Sequence, residues 1–410
     1  AAPPVVAVVV VHDPGAWFDE VLDAFAAQDY PNLRLLFLDT ASAADGGGDD
    51  VSRRVAARLP SAFVRPASDT RGFGAAANEV LRLVEGDNGF FLICHDDVAP
   101  EPGAVRLMVE ELYRSNAGAV GPKLVEWGDP QELQSVGLGM DRFGEIDVGI
   151  EPGERDQEQH DGVRDVFVLP SACLLIRADL FRAIGGFDPA ISFHGEDVEL
   201  CWRIHHSGAR VLVAPSARVR HRAALAERRP DLRHPTLVAR HRMRAVATLT
   251  GASRLPGRSL ELVLLTLTEL VVGLFSGRFG DAWASTRAFV GLLPRTPALL
   301  ARRGVVKPLR RVPEREVIGL QERGSTRLNH FLRTRDTRTF VGVETSVRRW
   351  RESAAAPVIA WIAVLVLLVV GSRSLITGGI PPVGEFLPFP ESGRGLLRSY
   401  TNGFSPVSYT

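Results

Sequence analysis

Short apolar runs alternate with amphipathic stretches along the first half of the chain, and this alternation constrains the fold more than any other feature. It extends from Val5 to about His221 and is typical of an α/β domain. We predict strands at Val5–Val11, Leu33–Leu38, Ala62–Arg65, Phe90–Cys94, Ala119–Val125, Val166–Ile176 and Arg210–Ala214. Helical spacing predicts helices at Trp17–Gln28, Asp50–Leu59, Gly74–Glu85, Ala104–Ser115, Arg177–Ile184 and Glu196–His206. The acidic, Gly-rich segment Asp141–Gly162 is predicted to be a mobile loop.

The character of the chain changes after His221. Arg222–Arg258 is strongly basic, and the apolar stretch Leu260–Phe275 is interrupted by Glu261 and Glu269. Two carboxylates in the middle of a membrane are costly, so we expect this stretch to lie in the membrane interface. A shallow hairpin with Trp283–Leu300 is the other arrangement that we expect.

Ser353–Ser372 is a twenty-residue stretch without charge, which predicts a transmembrane helix; a buried core helix is the alternative. Residues 302–351 hold fourteen Lys or Arg against five Asp or Glu, and such flanks stay cytoplasmic. The predicted organisation is a catalytic domain at 1–221, a basic helical membrane-interface region at 222–352, the membrane helix at 353–372 and an extracytoplasmic Pro/Gly-rich segment at 373–410, which could begin a further domain.

Overall charge and cysteine usage exclude two classes of protein. The 48 basic and 48 acidic residues cancel, which argues against a general nucleic-acid binder. The three cysteines, Cys94, Cys173 and Cys201, are scattered through apolar stretches and predict reduced thiols in a cytosolic domain rather than a disulfide framework.

Polar residues at the ends of predicted strands are the first candidates for chemistry. His12-Asp13-Pro14 follows the first strand and Asp39 ends the second, at the sheet edge where open α/β folds bind ligands. His95-Asp96-Asp97 ends the strand that begins at Phe90, and its carboxylate and imidazole donors suit Mg²⁺ or Mn²⁺. Helix capping and a solvated acidic turn are the respective structural alternatives.

Two further motifs lie where helices are predicted to begin. Arg71-Gly72-Phe73-Gly74 opens a helix, and its glycines would let backbone amides approach an anionic ligand. Glu196 and Asp197 fall in the first turn of the last predicted helix, where the helix dipole favours the ionised form that a general base needs. Simple capping is the alternative for both acids.

The order of these four motifs resembles the family-two glycosyltransferases of the inverting GT-A (nucleotide-diphospho-sugar transferase) type, especially the rhamnosyl- and galactofuranosyltransferase-like branch. The resemblance covers about Val5 to His221. It implies a mostly parallel sheet with flanking helices, followed by a helical, membrane-associated region. It also implies a nucleotide-diphospho-sugar donor, and its donor-binding positions fall on His12, Asp13, Pro14, Asp39, Ser42, Arg71, Gly72, Gly74, Asn78, His95 and Asp96.

The resemblance also implies a metal site and a base. The family's Asp-x-Asp triplet falls on residues 95–97 with Asp97 as a ligand of Mg²⁺ or Mn²⁺, and a distal histidine that completes the site falls on His221. Asp197 is implied as the general base with Glu196 beside it. Acceptor contacts are implied for His194, Trp202 and Arg203.

Two residues depart from the family pattern. His95 replaces the first aspartate of the triplet, which lowers the negative charge around the metal. Thr70 stands where relatives usually have Asn.

The resulting hypothesis is an inverting hexosyl- or deoxyhexosyltransferase at the cell membrane. Its catalytic domain would face the cytoplasm, and its acceptor would be a lipid-linked or cell-envelope glycan, with membrane lipids but no nucleic acid as partners. Two alternatives remain. One is a non-catalytic nucleotide-sugar-binding module of a larger membrane assembly, which the intact Glu196-Asp197 pair opposes. The other is a processive polysaccharide synthase, whose Gln-x-x-Arg-Trp motif has no match in Val347-Arg348-Arg349-Trp350.

Overall fold

The computed structural model describes residues 2–40, 48–67, 72–228, 235–276 and 279–322, together with 324, 326, 392 and 394. The chain divides into two compact units, Ala1–Arg338 and Thr339–Thr410, and the description below concerns the first. The predicted boundary after His221 lies inside this unit. The predicted transmembrane helix at Ser353–Ser372 and nearly all of 373–410 lie outside the described residues.

The secondary structure follows the predicted α/β alternation up to His221 and is helical afterwards. The strands are β1 (Val5–Val11), β2 (Leu33–Asp39), β3 (Phe63–Pro66), β4 (Phe90–His95), β5 (Val98–Pro100), β6 (Ala119–Glu126), β7 (Leu133–Ser135), β8 (Gly139–Met140), β9 (Ile146–Asp147), β10 (Arg164–Asp165), β11 (Cys173–Arg177) and β12 (Val211–His221). The helices are α1 (Phe18–Ala26), α2 (Gly48–Arg58), α3 (Phe73–Ala77), α4 (Val80–Leu83), α5 (Ala104–Ser115), α6 (Ala178–Ala183), α7 (Glu196–His206), α8 (Leu225–Arg228), α9 (Pro235–Leu249), α10 (Leu255–Ser276), α11 (Phe279–Leu292), α12 (Thr296–Val306) and α13 (Glu314–Gly319).

A ten-stranded mixed sheet organises the unit. Its main path runs β10-β12-β6-β11-β4-β1-β2-β3, with β5 paired to β12 and β7 to β6. Strands β3, β2, β1 and β4 are parallel neighbours, whereas β11 is antiparallel to both β4 and β6. Strand β12 is parallel to β6, so the expected parallel pairing holds on both sides of β11, which makes the sheet mixed.

Strand β1 shows why the sheet is covered on both faces. Val8 and Val10 point into one hydrophobic core with side chains from α3, α6, α7 and α9. Val9 and Val11 point into the other, with side chains from α1, α2 and α5. An uninterrupted apolar run is what a central strand buried on both faces requires.

Three predicted elements differ from the structure. In place of the predicted strand Val166–Ile176, the structure has a strand at Cys173–Arg177. Pro170, which has no amide hydrogen to donate to a neighbouring strand, interrupts the segment that precedes Cys173. The predicted helix Gly74–Glu85 is divided into α3 and α4. Strand β12 continues past Ala214 to His221 across a register shift, so the sheet itself carries His221 to the candidate site.

The segment predicted as a mobile loop is attached to the sheet. It contains β9, which pairs with β8, and two of its aspartates bind the buried Lys123 of β6. Lys123 Nζ lies 2.9 Å from Asp156 Oδ1 and 2.5 Å from Asp161 Oδ1. A buried ammonium needs such partners, so the acidic composition of the segment compensates a buried cation.

The helices after β12 pack onto the same body. Helix α9 contacts α7, α11 and α12, and α10 contacts α11, as the hairpin alternative for residues 260–300 predicted. None of the helices in the described ranges is long and apolar enough to cross a membrane. The membrane-associated character of this region stays a prediction.

Candidate active site

The candidate site lies where β1, β2 and β4 end beside β12. The parallel register places Val11 opposite Asp39 and Val10 opposite His95. His221, the last residue of β12, pairs with Val98 of β5. Parallel strands end at one edge of a sheet, so motifs far apart in the sequence meet there.

His95, Asp97 and His221, which we call the metal triad, form the centre of the site. One donor atom from each residue lies within 4.8 Å of the other two. Asp97 Oδ1 is 3.8 Å from His95 Nδ1 and 3.6 Å from His221 Nε2. This oxygen is buried and has no hydrogen-bond partner among the described residues. A buried carboxylate oxygen aimed between two imidazole nitrogens fits a cation.

Second residues orient each member of the triad. Asp97 Oδ2 accepts a hydrogen bond from the Ala224 amide at 2.7 Å. His221 Nδ1 is bonded to Gln134 Oε1, which leaves Nε2 as the ligand atom. His95 Nε2 lies 3.3 Å from Ser171 Oγ, which leaves Nδ1 facing Asp97. Such partners set the tautomer and direction of ligating histidines.

The protonation of His95 and Asp97 suits a divalent ion. Burial lowers the pKa of His95 to about 4, with His221 and Arg228 adding to the effect against the attraction of Asp97. Burial opposes the charge on Asp97, but the neighbouring His221 and His95 and the hydrogen bond from the Ala224 amide hold its pKa below its usual range. Neutral imidazole and ionised carboxylate are the forms that bind metals.

Asp96, the middle residue of the triplet, turns away from the triad. It forms a two-pronged ion pair with Arg228, with Nη1 and Nη2 each 2.8 Å from a carboxylate oxygen. The His12 amide donates to the same carboxylate at 2.9 Å. Arg228 also lies over the ring of Trp17, 5.6 Å from its centroid. Asp96 thus ties the end of β1 to α8.

Glu196 and Asp197 begin α7 at the other side of Ser171. Ser171 Oγ donates to Glu196 Oε1 at 3.1 Å, so one hydroxyl connects the metal triad to this acidic pair. Burial and the neighbouring Asp197 raise the pKa of Glu196 to about 8. Burial raises the pKa of Asp197 to about 6 against the amide hydrogen bonds that it accepts. Desolvation of these buried carboxyls therefore opposes the helix dipole, which favours their ionised forms.

The comparison with protein families decides the identity of this arrangement. The sequence model described as glycosyltransferase like family 2 matches residues 3–248, which is more than half of the 410-residue chain. The chain belongs to this family. The family match and the sheet topology agree with a GT-A-like α/β fold.

Similar proteins include two from Mycobacterium tuberculosis and one of known structure from Pyrobaculum calidifontis. The chain is 26% identical to the pre-mycofactocin glycosyltransferase of Mycobacterium tuberculosis over 257 residues, 58% of this chain and 51% of that protein. It is 26% identical to the N-acetylglucosaminyl-diphospho-decaprenol L-rhamnosyltransferase of the same organism over 255 residues, 57% of this chain and 80% of that protein. The match thus spans only about half of the first relative. A Pyrobaculum calidifontis mannosyltransferase crystallised with GDP-Man and Mn²⁺ has 17% identity and a TM-score of 0.45, covering 88% of this chain and 87% of that one.

The glycine turn of this family member is packed against protein. Gly72 has φ +93°, and a Cβ there would lie 2.0 Å from the Ser192 carbonyl oxygen, so only glycine fits. Asn78 is bonded on both sides to the Phe187 backbone, through Nδ2 at 3.0 Å and Oδ1 at 2.8 Å. A Cβ on Gly74 would meet the Phe187 side chain at 2.8 Å. The turn holds the loop before α7 in place.

The remaining donor-side candidates lie beside β1 and β2. His12 Nδ1 is 3.0 Å from Thr40 Oγ1, and Asp39 is buried at the end of β2. Asp13, followed by Pro14, has φ +45°, a conformation that costs a non-glycine residue energy and is frequent at functional sites. Ser42 and Arg71, like Thr70, lie outside the described residues.

The three candidate acceptor contacts have different environments. His194, at φ +61°, lies two residues before the start of α7, and its carbonyl is 3.0 Å from His241 Nδ1 of α9. Trp202 is 4% exposed and packs on Phe167. Arg203 is fully buried. Neither Trp202 nor Arg203 therefore has surface that an acceptor could touch, and the prediction that they bind it finds no support.

Arg203 instead belongs to a buried group that we call the arginine cluster. Arg203 holds Glu199 with Nε 2.9 Å from both carboxylate oxygens. Arg302 of α12 donates to Glu199 Oε1 at 2.7 Å and lies 3.4 Å from Asp188 Oδ2. Arg244 of α9 binds the same Asp188 oxygen at 2.8 Å. The cluster fastens α9 and α12 to the helix that begins with the acidic pair.

Sequence patterns missed Ser171, Gln134, Arg228 and the arginine cluster. Each acts through a partner that is distant in the sequence, with separations from 25 to 132 residues for the first three. Ser171 and Gln134 are common residue types without a local motif. A Glu–Arg pair four residues apart on α7, Glu199 and Arg203, was the one signal that could have located the cluster.

Proposed function

We propose that this protein is an inverting glycosyltransferase that moves a sugar from a nucleotide-diphospho-sugar to an acceptor hydroxyl. The observation that carries the proposal is the connection of the metal triad to Glu196 and Asp197 through Ser171. Metal ligands and a general base are the two functions that this displacement needs. Family membership independently supports the transferase class.

The two acids differ in a way that supports Asp197 as the base. With a pKa of about 6, Asp197 is largely ionised at neutral pH, whereas Glu196, at about 8, stays mostly protonated. Asp197 removes the proton from the acceptor hydroxyl, whose oxygen forms a bond to the anomeric carbon. The bond from that carbon to the diphosphate oxygen breaks, and its electron pair leaves with the diphosphate. Attack opposite the leaving group inverts the anomeric configuration.

The chain's residues would hold a divalent ion at the triad. His95 Nδ1, Asp97 Oδ1 and His221 Nε2 are the donor atoms, and an ion bound there would neutralise charge on the leaving diphosphate. Two imidazoles and one carboxylate suit Mn²⁺ better than Mg²⁺, which prefers oxygen ligands. His95 thus has a place among the ligands rather than only beside the donor.

A lipid-linked or cell-envelope glycan is the acceptor class that we propose, with a hexose or deoxyhexose transferred. The rhamnosyltransferase relative is named for a decaprenol-linked acceptor, which supports the class without naming the sugar. Because nucleotide sugars are cytoplasmic, we also propose that residues 1–221 face the cytoplasm at the cell membrane.

Replacing Asp197 by Asn tests the base assignment. We expect transfer to fall by about 10²- to 10⁴-fold, because the amide cannot accept the proton, while Mn²⁺ binding is kept. Transfer of a radiolabelled sugar from a screened panel of nucleotide sugars is the measurement. Asp179→Asn changes a carboxylate in the first turn of α6 and should leave transfer unchanged. Turnover at the wild-type rate by Asp197→Asn would remove the assignment.

Cysteine labelling in cells tests the topology. A membrane-impermeant maleimide should react with Ser392→Cys, because the predicted helix at 353–372 carries that position outward. Ser276→Cys and Ser325→Cys should react only after the cells are opened. Labelling of Ser325→Cys in intact cells would contradict the proposed orientation.

A further inference from the structure

Exposed apolar side chains are concentrated on the helices after β12. In the described part of the chain, ten of the seventeen large hydrophobic side chains that are exposed lie between residues 260 and 305. Soluble proteins rarely expose contiguous apolar surface of this kind without a partner. The two helices involved first, α10 and α11, pack on each other.

The exposed residues of α10 form one stripe. Leu260, Leu264, Leu267 and Val271 are 60%, 54%, 51% and 52% exposed, and their spacing of four, three and four residues places them on one face. Leu262, on the opposite face, is buried in the main core. The stripe is about 16 Å long at the rise of an α-helix. We call these four residues the leucine stripe.

Helix α11 repeats the pattern with a cation in it. Trp283 and Val290 are 55% and 57% exposed, and the exposed Arg287 lies between them at the same helical spacing. The Arg287 guanidinium is 5.8 Å from the Trp283 ring centroid. Tryptophan and arginine together are suited to the boundary between lipid headgroups and acyl chains.

The charges near the stripe favour an anionic surface. Arg254, before α10, and Arg295, after α11, are exposed. Glu261 is neutralised by Arg258 at 2.7 Å. Cations beside an apolar helix face attract anionic headgroups.

We propose that the leucine stripe and the Trp283 face of α11 lie on an anionic lipid bilayer, with the helices in the plane of the interface. The role of this contact rests on the proposed function, because the enzyme would bind a lipid-linked acceptor at the bilayer surface. The stripe is joined rigidly to the catalytic side, because Leu262 is in the core and His241 of α9 binds the Phe193 carbonyl at 2.7 Å just before α7. A membrane under the stripe would thus fix the height of the acidic pair above the bilayer.

Lipid quenching at single cysteines tests this contact in the full chain. All three native cysteines are buried, so an environment-sensitive maleimide dye reports on an introduced exposed thiol. Leu264→Cys is the test position, Leu267→Cys is the second, and Tyr113→Cys on α5, 61% exposed, is the matched control. In phosphatidylglycerol vesicles that contain nitroxide-labelled lipids, the two stripe positions should lose most of their fluorescence and the control should lose little.

Two further measurements test the role of lipid charge and whether a second copy of the chain covers the stripe. Replacing Arg254 and Arg287 by Gln should reduce quenching at Leu264→Cys, as should phosphatidylcholine vesicles. Equal quenching at stripe and control would overturn the proposal. So would a dye that is shielded without lipid quenching and only at high protein concentration, because a second copy would then cover the stripe. Quenching needs no turnover, so the absence of sugar transfer would count against the proposed function alone.

Discussion

The metal triad and the arginine cluster are two groups of ionisable side chains near α7, and their carboxylates are satisfied in different ways. In the arginine cluster, all four carboxylate oxygens of Glu199 and Asp188 accept hydrogen bonds. In the triad, one oxygen of Asp97 has no hydrogen-bond partner in the described part of the chain. The difference indicates that the first group holds the fold and the second binds something else.

Removing a cation from the arginine cluster should have the largest effect on stability. Arg203→Met leaves Glu199 buried with less charge compensation, and we expect the free energy of unfolding to fall by about 3–5 kcal/mol. Urea denaturation measures the loss. Arg210→Met, which breaks the half-exposed pair with Asp165, should cost less than about 1 kcal/mol. Equal losses in the two variants would show that the cluster is no more than a surface ion pair.

Breaking the triad should change metal binding and leave the metal-free fold intact. Asn at position 97 still accepts the Ala224 amide but loses the charge, so Asp97→Asn should not destabilise the metal-free protein. Wild type should gain about 2.7 kcal/mol when Mn²⁺ is present at a hundred times its dissociation constant, and the variant should gain almost none. Thermal shifts with and without Mn²⁺ measure this, with Asp179→Asn as the control. Full stabilisation of Asp97→Asn by Mn²⁺ would place the ion elsewhere.

The histidines of α7 should make the free energy of unfolding depend on pH, and this effect should be smaller than the two above. Burial lowers the pKa of His205 and of His206 to about 4, so between pH 6.5 and 4 the unfolded chain binds protons that the folded chain does not. Each of these histidines should therefore lower the stability on acidification through that range by at most about 1.4 kcal/mol per pH unit, against the opposite contribution of Glu196 and Asp197, whose pKa values burial raises. Urea midpoints at pH 7 and pH 5 measure the slope, which His206→Gln should reduce. An unchanged slope in that variant would exclude His206 as a contributor.

The parts of the fold that the sequence predicted well depend on local apolar patterns. The apolar run of β1 and the helical spacing of α5 and α7 predicted the first and last residues of these elements correctly. Pro170 shows the limit, because an apolar run around it reads as one strand although the proline removes a ladder donor. For α3 and α4 the helical period is continuous, and tertiary contacts of Asn78 override it.

From residue patterns alone, the candidate site was predictable only where potential metal-binding residues lie at the ends of predicted strands. Asp97 was predicted from its place after a strand, whereas His221, which ends β12, was implied by the family resemblance. The protonation of Glu196 was not predictable, since burial depends on Ser171 and on distant packing. Arg203 looked like an acceptor contact because it follows the acidic motif, but it lies on the inward face of α7.

The long reach of the arginine cluster has a consequence for synthesis of the protein. Arg302 contacts Glu199, which lies 103 residues earlier in the sequence. At about 5–20 residues per second, the ribosome reaches Arg302 roughly 5–20 s after it has made Glu199. Once His221 has been made, early in that interval, the nascent chain contains every residue of the metal triad and the acidic pair, yet it lacks Arg302, which contacts both Glu199 and Asp188. The catalytic half therefore finishes its core only when α12 has left the ribosome, and a chain stopped between α9 and α12 would expose that unfinished core to proteolysis.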